Sequence, residues 1–249
     1  MMSANLVLSF LSAIVMFIFS AYVLQRYFIR RKLYFLFWGL GLLMFGIASF
    51  AGALLAISWN QWFFFAWYFF GAVLTAAWIG HGTVYLLVRK KWAHILTVVL
   101  VTASVIAMVM LLLVMSDLDS SIFTSSEPIS EQYRDIMPAI SDGGIVRLST
   151  PFFNVYGLVT LVGGALYSTY LFWRKRVLPN RVIGNVLIAV GALIIASAST
   201  LTRLGYGSLQ VIGELLAAIL MFSGFLLASA PQRVSSEEDT QATAASISQ

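Results

Sequence analysis

Apolar residues run almost unbroken over about 5–25, 33–57, 62–88, 93–115, 151–173, 182–202 and 209–230, and short polar stretches separate the runs. Each run is close to the roughly 20 residues a helix needs to cross a hydrocarbon layer. None alternates polar and apolar positions as a barrel strand does, and over such lengths in lipid a helix satisfies its own backbone. The pattern predicts an all-α membrane protein of seven transmembrane helices spanning residues 1–230. No basic stretch precedes the first run, so it reads as a span and not as a cleaved signal peptide. Residues 231–249 are rich in Ser, Thr and Ala and carry Glu237, Glu238 and Asp239, so this tail is expected to be disordered.

Composition sharpens the class. Of the 249 residues 60% are hydrophobic and 10% charged, whereas a soluble domain carries about 25% charged residues. The net charge is +5 and there is no cysteine, which removes disulfides and thiol ligands. The basic residues sit in short connections, a placement that suits anionic membrane lipids and not nucleic acid. They also orient the chain. Arg26, Arg30, Arg31 and Lys32 follow span one; Arg89, Lys90 and Lys91 follow span three; Arg174, Lys175, Arg176 and Arg181 follow span five; Arg233 follows span seven. These twelve share one side, and Arg134, Arg147 and Arg203 fall on the other. By the positive-inside rule the N-terminus is outside and the C-terminus cytoplasmic, in a plasma (inner) membrane. Trp59 and Trp62 at the outer interface, and Trp92 and Trp173 at the inner one, fit that frame.

The longest connection, about 116–150, lies outside and holds six acids and two arginines. Pro128 and Pro138 bracket a short helix expected near 129–137. Spans one and two also echo spans five and six. At an offset of 148, Ser20 falls on Ser168, Tyr22 on Tyr170, Arg26 on Arg174, Ala48 on Ala196 and Ser49 on Ser197. Span three then pairs with span seven, with Gly71 against Gly213. This suggests a 3+1+3 parallel repeat, an arrangement that sets binding sites at the repeat interface.

That order, with the N-terminus outside, resembles the architecture of microbial rhodopsins, and the repeat idea is shared with sugar transporters of the SWEET class. The resemblance is topological. Lys32, Lys90, Lys91 and Lys175 all lie in connections, so no span-seven lysine exists to form a retinal Schiff base. Pro231-Gln232 follows the last span and is not the transporter class's Pro-Gln turn. Fold analogy therefore carries no function.

Candidate chemistry lies in the polar residues inside apolar runs, which are costly there and mark sites or pairs. Glu214 is the only acid inside any long apolar segment, and Gln210 lies one turn before it on the same face. Arg203 and Asn154 are expected at the same depth. The four are read as one outer cluster, serving as a small polar pocket, a proton-binding carboxylate, or an Arg203–Glu214 pair that pins spans six and seven. A second group is Trp78, His81 between Gly80 and Gly82, and Asn185, toward the cytoplasmic side. His81 reads as a helix-packing residue, a proton relay or a haem ligand. A two-histidine haem would need His94 at the same depth, and His94 is interfacial. The aromatic run from Trp62 to Phe70 reads as packing or as the wall of an apolar pocket.

No P-loop, dinucleotide fingerprint, zinc pair or nucleophile elbow is present, and no catalytic or metal-ligating set is read. The sequence thus points to a non-enzymatic, sensor- or receptor-like module that binds a small or apolar ligand or a partner membrane protein. The alternatives are a small proton-coupled or facilitative transporter using Glu214, and a redox or haem subunit using His81. One geometric question separates them: whether a continuous polar cavity joins Glu214 to His81.

Overall fold

The computed structural model describes residues 4–174, 179–202 and 208–229. Among the described residues, seven helices are long and apolar enough to cross a membrane. They are α1 (Ala4–Arg30), α2 (Leu33–Leu55), α3 (Gln61–Leu87), α4 (Lys90–Val114), α6 (Val146–Arg174), α7 (Pro179–Thr202) and α8 (Ser208–Ser229), and a short α5 (Ile129–Ile136) lies in the long connection. The expected disordered tail falls outside the described residues.

Six helices form a ring in the order α1, α2, α3, α6, α7, α8 and back to α1. The α4 helix packs on the outside of the ring, against α3 and α6. Close approach depends on small residues, which let backbones meet where apolar burial gives helices no advantage over lipid. A Cβ on Gly157 of α6 would meet the Ala76 carbonyl of α3, and one on Gly184 of α7 would lie 2.5 Å from the Gly224 carbonyl of α8.

The ends of α1 and α6 differ from the apolar runs. The α1 helix continues to Arg30, because basic residues near a membrane face extend their heads from a helical stem. Arg26 donates to the Tyr22 hydroxyl at 2.7 Å and lies 5.3 Å from the Phe225 ring of α8. The α6 helix begins at Val146, five residues before Pro151. Proline removes one backbone bond near the helix start, where little is lost, and Val146 is fully buried.

The α3 helix is the irregular one. Asn60 caps its start by accepting from the Trp62 and Phe63 amides. Trp67–Leu74 is then a π-helix, which the sequence reading did not anticipate. Around such wide turns, backbone carbonyls can take side-chain donors as well. The Phe70 carbonyl accepts from the Thr75 amide and also, at 2.7 Å, from the Thr75 hydroxyl, and the Asn154 amide of α6 donates to the Ala72 carbonyl at 2.9 Å. The α8 helix, which the repeat suggested by the sequence would pair with α3, is α-helical from Ser208 to Ser229.

Two cores result. One gathers Phe64, Trp67, Tyr68 and Phe69 of α3 with Leu100 and Leu111 of α4 and with Ile136 and Met137 of the long connection. The aromatic run is thus mainly core, with Trp62 left exposed. The other joins α1, α2 and α8 through Met16, Phe19, Leu42, Phe45, Met221 and Phe225.

Candidate functional site

Glu214 lies nearly two turns into α8 and faces Ser49 of α2. Gln210 donates to its Oε1 at 3.1 Å, and the Ser49 hydroxyl of α2 approaches Oε2 at 3.4 Å. A narrow cleft opens beside the carboxylate. Asn5 and Ser9 of α1, Ser49 and Gly52 of α2, Trp67 of α3, and Gln210 and Glu214 of α8 line it. Phe123 and Glu127–Ser130 of the long connection form its roof.

The roof is braced. The buried Gln132 of α5 accepts from the Thr124 amide at 2.6 Å and donates to the Thr124 and Glu127 carbonyls at 2.8 and 2.9 Å. Phe123 packs against Trp59 in a tilted arrangement, with ring centroids 5.2 Å apart. Arg147 donates to the carbonyls of Arg134 and Pro138, tying the start of α6 to the same segment. Asp119 caps a turn of this connection, and the Ser121 hydroxyl and amide hold its carboxyl below the usual carboxylate range.

Asn154 does not join this cluster, contrary to the sequence expectation. Its amide is spent on the carbonyls of Ala72 and Thr150, and α7 stands between α6 and α8 in the ring. The role expected of Arg203 lies outside the described residues.

His81 forms a second polar assembly. Its ring is fully buried, with Nδ1 2.7 Å from the Tyr156 hydroxyl of α6 and Nε2 2.8 Å from the Thr97 hydroxyl of α4. Counting protons assigns the roles. Thr97 gives its one proton to the Ala93 carbonyl at 2.9 Å, so it accepts from His81 Nε2–H and, at 2.7 Å, from the Tyr85 hydroxyl. Nδ1 then accepts from Tyr156, and Tyr85 accepts from His94 Nδ1–H at 2.9 Å. The result is a chain Tyr156–His81–Thr97–Tyr85–His94 that ends at the exposed His94. Both nitrogens of His81 are engaged, so no lone pair is left for iron, and the haem reading loses its ligand.

Trp78 and Asn185 fall in neither group. The Trp78 indole donates to Ser104 of α4 at 3.3 Å. Asn185 lines a second, mainly apolar cleft with Trp38, Thr83, Ser168 and Phe225. The two clefts share no lining residue, and His81 lines neither.

No family model, curated protein or solved structure matches this chain. Function therefore has to be argued from the sites.

Sequence reasoning missed Tyr156, Thr97 and Tyr85, because one hydroxyl in an apolar run does not distinguish itself until a partner helix is placed. Ser49 was visible only as a repeat position. Ser130 carried no signal at all.

Proposed function

We propose that this protein is a receptor-like membrane module that takes a small ligand into the cleft holding Glu214. What carries the reading is the setting of that carboxylate: a lone acid in an apolar helix, held by two neutral donors, beside a cleft with a braced roof. A carboxylate that only joined two helices would need neither cleft nor roof. In this reading the acidic connection and the N-terminus face outward, since twelve of the fifteen Lys and Arg residues fall on the opposite side of a plasma (inner) membrane. Ligand contact would draw α1, α2 and α8 together. The α8 helix runs on to Phe225, beside Arg26, so a shift of α8 reaches the basic cytoplasmic connections. The separation of the two clefts favours this reading over a Glu214-coupled transporter.

The test is a thermal-stability screen of small molecules against the purified protein and its Glu214→Gln variant. The expected result is a set of compounds that stabilise the wild type and leave the variant unmoved. If no compound of any charge distinguishes the two, the reading fails.

A further inference from the structure

The lining of the Glu214 cleft selects among ligand classes. Two carboxylates line it, Glu214 within and Glu127 at the exposed rim. Among the described residues, no Lys or Arg lines the cleft. The connection that roofs it holds six acids against Arg134 and Arg147. Both arginines face other partners: Arg134 donates to the Tyr133 hydroxyl, and Arg147 to backbone carbonyls of the roof. The local field thus favours a cation, and an enclosed carboxylate strengthens that preference.

A second observation is independent of charge. Ser130 is 6% exposed, lines the cleft, and its hydroxyl has no hydrogen-bond partner. Buried hydroxyls are rarely left so, and an orphan beside a cleft marks a group that something else completes. Once the cleft opens enough to expose this hydroxyl, its lone pairs can accept a proton from a ligand, as can those of Glu214 that Ser49 and Gln210 leave free. Acceptors converging on a cleft call for several N–H donors on one charged head. Trp67, Phe123 and Leu55 supply an apolar wall for a short carbon chain, and aromatic faces also attract cations.

We infer that the cleft binds a small primary ammonium compound, whose charged head meets Glu214 and Ser130 and whose carbon chain lies against Trp67 and Phe123. This rests on the proposed ligand-binding role and names its ligand class.

The experiment uses the full chain in nanodiscs at constant ionic strength set with sodium chloride. Binding of propylammonium, 1-propanol and propionate is compared by calorimetry. Propylammonium is expected to bind, and the neutral and anionic probes to bind at least about tenfold more weakly, since a charge-assisted hydrogen bond is worth about that factor. Glu214→Gln is expected to remove the preference. Two further variants guard against a folding defect. Ser130→Ala deletes a hydroxyl with no partner, so it should fold at least as well as the wild type and bind propylammonium several-fold more weakly. Glu127→Gln alters an exposed rim residue and should weaken binding about twofold. Equal binding of all three probes, or of propylammonium by the wild type and Ser130→Ala, overturns the inference while leaving a ligand site standing. If none of the three binds, the inference falls, and the broader screen decides the receptor reading alone.

Discussion

Replacing Tyr156 by Phe tests the hydrogen-bonded chain at its buried end. The substitution removes one hydroxyl and keeps the ring, so packing between α6 and α3 is preserved. His81 is fully buried, and its Nδ1 then loses the Tyr156 donor. An orphaned buried acceptor costs about 1–3 kcal/mol in soluble proteins. Side-chain bonds between membrane helices average about 0.6 kcal/mol and reach about 1.7, because the chain unfolded in lipid finds other partners. The ranges meet near about 1–1.5 kcal/mol, the expected loss. Thr97→Val should cost more, since it strips an acceptor from both His81 and Tyr85. The decisive comparison is Tyr156→Phe in a His81→Phe background. With the imidazole gone there is nothing left to orphan, so the second change should be nearly free and the coupling about 1 kcal/mol. Unfolding in mixed micelles, followed by tryptophan fluorescence, measures each value. Additivity of the two changes within about 0.3 kcal/mol would refute the assigned Tyr156-to-His81 bond.

Two other outcomes follow from contacts already described. Gly157→Ala should cost about 1–3 kcal/mol by forcing α6 from the Ala76 backbone, whereas Gly163→Ala, with nothing within 4 Å of the new Cβ, should stay within about 0.5 kcal/mol in the same unfolding assay. Gln132→Leu removes the brace from Thr124 and Glu127. Amides from 124 to 131 should then exchange faster by mass spectrometry while the long helices keep their protection, and unchanged exchange in that stretch would count against a braced roof.

The apolar runs located the seven long helices because length and polarity decide them without reference to packing. The ends of α1 and α6 were misjudged where a local rule met a tertiary one. The charge of Arg26 suggests a connection although its backbone lies within α1, and Pro151 suggests a start although α6 begins at the buried Val146. Glu214 and Gln210 were legible as neighbours because helical spacing alone unites them. Asn154 was misplaced for the complementary reason: equal depth in a membrane says nothing about which helices adjoin. The π-helix at Trp67–Leu74 was invisible, since no residue there forbids an α-helix. Its marks are the added side-chain donors, Thr75 to the Phe70 carbonyl and Asn154 of α6 to the Ala72 carbonyl, and neither contact is implied by residue type.

The placement of α4 outside the ring has a consequence for how it is held. Leucine and valine gain nothing by leaving acyl chains for protein, so the aliphatic surface of this helix cannot fix its angular setting. That setting falls to two polar stitches about two turns apart, Thr97 to His81 and Tyr85, and Ser104 to Trp78. The segment with the greasiest exterior is therefore steered by hydroxyl groups, and a rolling motion of it would be felt first at the imidazole in the bundle's interior.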